Sequence, residues 1–297
     1  MGKLFATVFL LISNLCFCQL KSVIIDGETK EKIPYVNIWI ENENVGTTSN
    51  ENGKFELTVG ASKIIIFSAI GFETKRIISD SVQSIVKLNP VITQLNEVVI
   101  KSNKPNQILT IGGFKKSKIN HYFACGTTLW ISARYFEFKE NYKETSFLET
   151  IKILTKSKTK DSKFNIRLYG ANENGEPENY IYDKNIIVIA KKGKNLTEIN
   201  ISELNIEFPK NGFFIAFEWL LVENNKYEFN YTVKGSKKKH IGIQYAPKIG
   251  LVSSKTNKNS WIFSQGKWMK TWKNNNDNSK KYRNKYNLIA MELTLTN

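Results

Sequence analysis

Val36-Asn37-Ile38-Trp39-Ile40, then Gly46-Thr47-Thr48-Ser49-Asn50-Glu51-Asn52-Gly53, then Phe55-Glu56-Leu57-Thr58-Val59: these three runs decide the fold. Val36, Ile38 and Ile40 recur with the period of two that lays one face of a strand on a core. The middle run is rich in turn formers, and Gly53 can take the positive φ that closes a hairpin after Asn50-Glu51-Asn52. Phe55, Leu57 and Val59 alternate again in a returning strand. Ile64-Ile65-Ile66-Phe67-Ser68-Ala69-Ile70 is short, apolar and β-branched, the composition of a strand buried on both faces. Gly71-Phe72-Glu73 breaks it, and residues 75–78 and 84–88 supply the last short strands. Short strands punctuated by Gly and Asn predict a Greek-key sandwich over residues 22–88.

These residues resemble the carboxypeptidase regulatory-like domain. The likeness is carried by Ile24, Asp26, Thr29, Ile33-Pro34-Tyr35-Val36-Asn37-Ile38, Gly46-Thr47-Thr48, Asn50-x-x-Gly53-x-Phe55-x-Leu57 and Ile70-Gly71-Phe72. It implies a transthyretin-like β-sandwich of the kind common at the start of bacterial envelope proteins. It names a scaffold, not an activity. Ser22 stands where that family usually has Gly, and Asn50 where it often has Asp; both read as surface-turn changes. Leu95-Asn96-Glu97-Val98-Val99-Ile100 is similar to the segment after this domain in TonB-dependent outer-membrane receptors. A barrel of that class needs about 22 strands plus a plug, more than this chain supplies.

Residues 1–18 read as a secretory signal: Lys3 is followed by an apolar run, and Cys16-Phe17-Cys18 offers small residues before Gln19. Acylation at Cys16 or Cys18 would make the chain a lipoprotein, but Leu15 and Phe17 are poor residues to precede such a cysteine. No later stretch is apolar for long enough to span a membrane, so the mature chain is expected without a transmembrane segment. Cleavage after Cys18 leaves Cys125 as the sole thiol, so folding must rest on core burial rather than on a disulfide. Cys125 sits among apolar neighbours in Tyr122-Phe123-Ala124-Cys125-Gly126 and reads as a small buried hydrophobe.

The expected organisation is a signal at 1–18, the regulatory-like sandwich at 19–89, a strand and polar linker at 90–113, and a second domain at 114–297. In that second domain Trp130, Ser132, Arg134, Phe136 and Phe138 share one strand face. About nine strands succeed one another with Gly- and Asn-containing turns, as in a two-sheet jelly roll. Ser202-Glu203-Leu204-Asn205 is at most one helical turn. The fold class is therefore all-β: a Greek-key transthyretin-like β-sandwich followed by a larger jelly-roll-like β-sandwich. Phe164-x-Ile166-Arg167-Leu168-Tyr169, Gly175-x-Pro177 and Gly212-Phe213-Phe214-Ile215-Ala216-Phe217-Glu218-Trp219 resemble C-terminal halves found beside regulatory-like domains in envelope proteins, a likeness that implies no activity.

Chemistry is sparse. Glu218 shares a strand face with Phe214, Ala216 and Leu220, and a carboxylate there is either functional or half of an ion pair with a base such as Arg134 or Arg167. Glu137, Glu149, Glu218 and Glu223 are hydrolase candidates, but their spacing pairs none of them. Asn172-Glu173-Asn174-Gly175-Glu176 faintly resembles a calcium loop, without the Asp and closing bidentate Glu it would need. Two histidines and one mature cysteine make a zinc site improbable, and no phosphate-binding or dinucleotide motif appears, so no cofactor is expected.

Lys and Arg number 43 against 27 Asp and Glu, a net charge of +16, and Lys3 is the leader's only contribution. The bases cluster at turns, as in Lys237-Lys238-Lys239, where lysine is ordinary edge protection. The excess still draws anionic surfaces such as lipopolysaccharide or acidic glycans; without a known motif, dedicated nucleic-acid binding is not expected. Trp261, Trp268 and Trp272 lie in the aromatic-richest stretch. Trp268 and Trp272 can stack on sugars, or cover a sheet edge while Trp261 fills the core. Together these features predict an exported envelope protein, periplasmic or at the outer membrane of a Gram-negative cell. It would bind a glycan, lipopolysaccharide or an outer-membrane protein partner through Trp268, Trp272 and Lys237, Lys238 and Lys239. The competing readings are a secreted hydrolase with carboxylates on the jelly roll, and a structural subunit of an outer-membrane assembly.

Overall fold

The computed structural model describes residues 18–91, 107–233 and 235–297; the expected signal up to residue 17, the strand at 95–100 and the polar linker at 101–106 lie outside them. The chain divides into two units, Met1–Ile92 and Thr93–Asn297. Every element longer than a short 3-10 turn is a strand among the described residues, and no helix is long and apolar enough to cross a membrane.

The first unit holds Cys18–Asp26 (β1), Asn37–Ile40 (β2), Gly46–Thr48 (β3), Lys54–Val59 (β4), Ile64–Ser68 (β5), Lys75–Ile78 (β6) and Ile85–Leu88 (β7). They form two sheets, ordered β4-β1-β7 and β3-β2-β5-β6, with β7 parallel to β1. Between the sheets lie Ile24, Val36, Ile38, Phe55, Leu57, Ile65, Phe67, Val86 and Leu88. Phe55, Leu57 and Val59 point inward while Lys54, Glu56 and Thr58 face out, the alternation that makes this a half-buried strand.

Gly53 has φ +68°, and a Cβ there would meet the Ile24 carbonyl oxygen at 2.6 Å. The turn it ends is not a hairpin within one sheet. β3 pairs with β2 and β4 with β1, so Asn50-Glu51-Asn52-Gly53 carries the chain from one sheet to the other. The free edge of β1 accepts β4, and the same apolar alternation serves either sheet because both face one core. Asn50 Oδ1 accepts from the Asn52 and Lys54 amides at 2.9 and 3.1 Å, a role an Asp would fill equally. Ser22 is not at a surface turn: it is buried in β1, and its hydroxyl donates to the Gln83 carbonyl at 2.8 Å.

The second unit opens with Ile108–Ile111 (β8), Tyr122–Cys125 (β9), Ile131–Phe136 (β10), Phe147–Ser157 (β11) and Ser162–Ala171 (β12). Pro177–Tyr180 (β13), Ile186–Ala190 (β14), Gly193–Asn200 (β15), Phe213–Trp219 (β16) and Lys226–Thr232 (β17) come next. Lys239–Ser254 (β18), Ser260–Ser264 (β19), Lys267–Lys270 (β20), Tyr286–Ile289 (β21) and Met291–Thr296 (β22) complete it. One sheet runs β13-β12-β16-β10-β19-β20, with β14 also on β12; the other runs β17-β18-β11-β22-β8, with β15 on β11 and both β9 and β21 on β18. Phe164, Ile166, Leu168, Phe213, Ile215, Phe217 and Trp219 from the first sheet meet Ile151, Ile153, Ile249, Met291, Leu293 and Leu295 from the second.

β16 is buried at every position. Its second face, Phe214 and Ala216, joins Ile131, Ala133, Tyr169 and Trp261 in a separate apolar cluster. Ile108–Ile111, expected within the linker, instead pairs with β22: Leu109 and Ile111 pack on the core while Ile108 stays exposed, the pattern of an edge strand. Ser202–Leu204 is a single 3-10 turn.

Candidate functional site

Cross-strand partners share a face of a sheet, and that rule fixes the buried charges. Glu218 lies opposite Ile131 on β10 and Asn165 on β12, whereas Arg134 lies opposite Ile215, on the other face. Arg134 therefore cannot pair with Glu218. It is half-buried and donates to the carbonyls of Gly112, Ile289 and Met291, the last at 2.6 Å. Removal from water lowers its pKa to about 10, so it stays charged at neutral pH.

Glu218 instead accepts from Arg167 Nε at 2.5 Å and from Asn165 Nδ2 at 2.9 Å, both fully buried residues. Asn165 Nδ2 also reaches Asn185 Oδ1 at 2.9 Å, and the Arg167 guanidinium lies 5.6 Å from the Tyr180 ring. Burial pulls the Arg167 pKa down, but the Glu218 carboxylate, with Tyr180 and Tyr169, outweighs it and holds the group above its ordinary range. A carboxylate so enclosed neutralises the buried cation beside it.

The other hydrolase candidates are spread over different elements. Glu137 pairs with Lys258 at 2.7 Å, Glu223 with Lys226 at 3.2 Å, and Glu149 accepts from the Thr296 hydroxyl. In the Asn172 to Glu176 turn, Asn172 Oδ1 is taken by the amides of Asn174 and Glu176, and among the described residues no group of three His, Cys, Asp or Glu could hold a metal. Cys125 is buried and donates to the Thr128 carbonyl; burial pushes its thiol up to about 12, against a smaller opposing pull from the Trp130 amide.

The two tryptophans paired in the sequence reading part company. Trp268 on β20 is half-buried against Tyr169 and Phe263, at ring separations of 5.2 and 5.3 Å; it covers the second face of the first sheet. Trp272, beyond β20, is 69% exposed. It forms one wall of a cleft of about 670 Å³ that Phe123, Trp130, Ile262, Ser264, Thr271, Lys273, Asn274, Asn275, Asn276 and Asn287 complete. Trp130 packs 5.2 Å edge-on from Phe123 and 4.5 Å from Trp219, whose Nε1 donates to Pro247 O at 2.7 Å.

The polar side of the cleft is a pinned loop. Asn274 exchanges backbone hydrogen bonds with Lys285 and Asn284 at 2.8 and 2.9 Å, and its side chain donates to Asp277 at 2.8 Å. Asp277 also accepts from the Ser279 amide and bonds His121 at 3.2 Å. The Ser279 amide is the main reason its carboxyl lies below the usual range. His121 stacks on Tyr282 at 3.8 Å. Thr271 Oγ1 and Asn287 Oδ1, both from residues lining the cleft, are buried without a hydrogen-bond partner. Among the described residues, no carboxylate lines it.

An amide-rich wall facing aromatic rings offers donors, acceptors and a flat apolar surface to one ligand, the combination a sugar ring requires. Phe123, Trp130 and the asparagines escaped the sequence reading. The signal present was Trp272-Lys273-Asn274-Asn275-Asn276, an aromatic followed by consecutive amides. Lys237 and Lys238, on the connection between β17 and β18, and Lys239, the first residue of β18, are exposed and do not line the cleft.

No curated protein matches the chain. Among solved structures, it is similar to the cysteine protease and lectin-like domains of Cwp84, a surface layer associated protein of Clostridium difficile, at 11% identity and TM-score 0.35, covering 87% of this chain and 45% of that one. It is also similar to the infectious bursal disease virus Gx strain structure, at 9% identity and TM-score 0.26, covering 88% of this chain and 57% of that one. The chain thus spans about half the length of these structures. Residues 20–100 match the model of the CarboxypepD_reg-like domain. With the two-sheet core formed by the motif residues Ile24, Val36, Ile38, Phe55 and Leu57, the N-terminal part of this chain is a CarboxypepD_reg-like domain.

Proposed function

We propose that this is an exported, non-catalytic protein of the bacterial envelope that binds a glycan in the Trp272 cleft. The regulatory-like domain serves as its spacer or docking module. One observation carries the reading: Trp272, Trp130 and Phe123 share a cleft with asparagine amides and, among the described residues, no carboxylate. A glycosidase needs two carboxyl groups across the scissile bond, whereas sugar recognition needs a ring to stack on and amides to bond hydroxyls.

The test is a screen of neutral and acidic oligosaccharides and lipopolysaccharide against residues 19–297, at low and raised salt. Removing a stacked indole should weaken binding by about 10- to 100-fold. Salt-resistant binding that Trp272→Ala reduces to this degree is the expected result. Binding that fades with salt and ignores the substitution would leave only a basic surface.

A further inference from the structure

β17 and the first part of β18 form a two-stranded ribbon. Their register runs from Lys226 opposite Tyr245 to Thr232 opposite Lys239. β9 meets β18 no nearer the tip than Tyr245, and β11 only at Lys248 and Ile249. None of the described residues from 226 to 245 is buried. A ribbon of this length extends roughly 20 Å.

Both of its faces carry apolar side chains. Tyr227, Phe229 and Tyr231 share one face with His240 and Gly242; the Phe229 ring covers Gly242, where a Cβ would meet it at 2.7 Å. The Tyr231 and His240 rings stack at 5.4 Å. The opposite face carries Ile241 and Ile243. Ile241 is 67% exposed, Val233 53% and Tyr231 44%. The tip is cationic: Lys237, Lys238 and Lys239 are exposed and make no ion pair among the described residues.

We propose that this ribbon is a membrane-surface anchor that enters an anionic phospholipid bilayer end-on. Val233, Tyr231 and Ile241 reach the boundary between headgroups and acyl chains, and Lys237, Lys238 and Lys239 sit on lipid phosphates. The arrangement of the apolar residues selects this occupant. A protein partner docks on one face or along one edge, but here exposed apolar side chains stand on both faces around a common end, Tyr231 on one and Ile241, opposite Asn230, on the other. A second copy would bring like-charged tips together. A bilayer surrounds the tip, welcomes tyrosine at its interface and complements the lysines.

The experiment is co-sedimentation of residues 19–297 with phosphatidylcholine vesicles, with and without phosphatidylglycerol. Each lysine near an anionic surface is worth roughly fivefold in partitioning. Loss of the three positive charges alone lowers binding to the anionic vesicles by about 100-fold, so the combined Lys237→Glu, Lys238→Glu, Lys239→Glu variant should bind at least that much more weakly. Val233→Ser with Ile241→Ser should weaken it by about tenfold. A charge-matched variant, Lys160→Glu, Lys191→Glu, Lys192→Glu, should bind as the unaltered chain does. The proposal is overturned if anionic vesicles are not bound, or if the charge-matched variant loses as much as the tip variant. It is also overturned if the tip and Val233/Ile241 variants turn a dimer into a monomer without vesicles, which would assign the ribbon to a second copy.

Discussion

Glu218 and Arg167 hold each other in place where neither can reach water. Truncating one partner strands the other, so Glu218→Ala should cost about 3–5 kcal/mol, whereas Glu218→Leu combined with Arg167→Met should regain most of that loss. Urea unfolding of the three variants measures both effects. Alternation along residues 213–220 told which face Glu218 occupies and that a buried carboxylate there wants a base. Which base it meets depends on β16 lying between β10 and β12, a non-local choice that local periodicity does not encode. Alternation groups Arg134 with Phe136 and Glu218 with Phe214, but only the register of β10 on β16, Arg134 opposite Ile215, shows that these are opposite faces of the sheet.

Cys125 makes a second prediction at this scale. Its thiol is raised from an ordinary 9.0 to about 12, chiefly by burial. The folded protein therefore keeps a proton that the unfolded chain releases, a stabilising term that is complete below about pH 9 and lost as pH climbs toward 12. Cys125→Ala should flatten the alkaline decline in unfolding free energy within that window. A thiol reagent at pH 8 should label the native protein only after denaturant is added.

Among the elements, the turn before β4 shows what short-range chemistry specifies. Gly53 was legible as a positive-φ position, because the asparagines before it and the alternating strand after it leave no other role. Gly53→Ala combines that backbone strain with an approach to the Ile24 carbonyl and should destabilise the first unit by about 1–3 kcal/mol, read from its thermal unfolding. That the turn bridges two sheets was not legible, since β4 shows the same inward Phe55, Leu57 and Val59 whichever sheet it joins. β8 escaped for a related reason: four residues between glycines and a polar linker look like connection until β22 is there to pair with them. β20 contains the other informative tryptophan. Trp268→Ala removes a half-buried ring from Tyr169 and Phe263 and should cost about 2 kcal/mol in stability, less than full core truncation, without altering a site it does not line.

For the molecule as a whole, composition spoke of charge while the geometry speaks of a cleft. Many lysines lie at turns, where they keep strand edges soluble, and at the β17–β18 tip three of them stand near exposed Tyr231, Val233 and Ile241. The aromatic stretch after β19 was visible in the sequence, yet its two roles were not separable there. Trp268 and Trp272 are four residues apart, and only the course of the chain after β20 turns one onto the sheet and leaves the other facing solvent. The cleft itself is assembled from β9, Trp130 just before β10, β19, β21 and the loop after β20, parts distant in sequence, so no local motif announces it. The central claim is that recognition resides in this cleft and not in the overall positive charge. The most direct measurement is calorimetric titration of the best-binding oligosaccharide into residues 19–297 and into the Trp272→Ala and Trp268→Ala variants, at raised salt. The account predicts that affinity falls about 10- to 100-fold in Trp272→Ala and is unchanged in folded Trp268→Ala; equal affinity in all three proteins would contradict it.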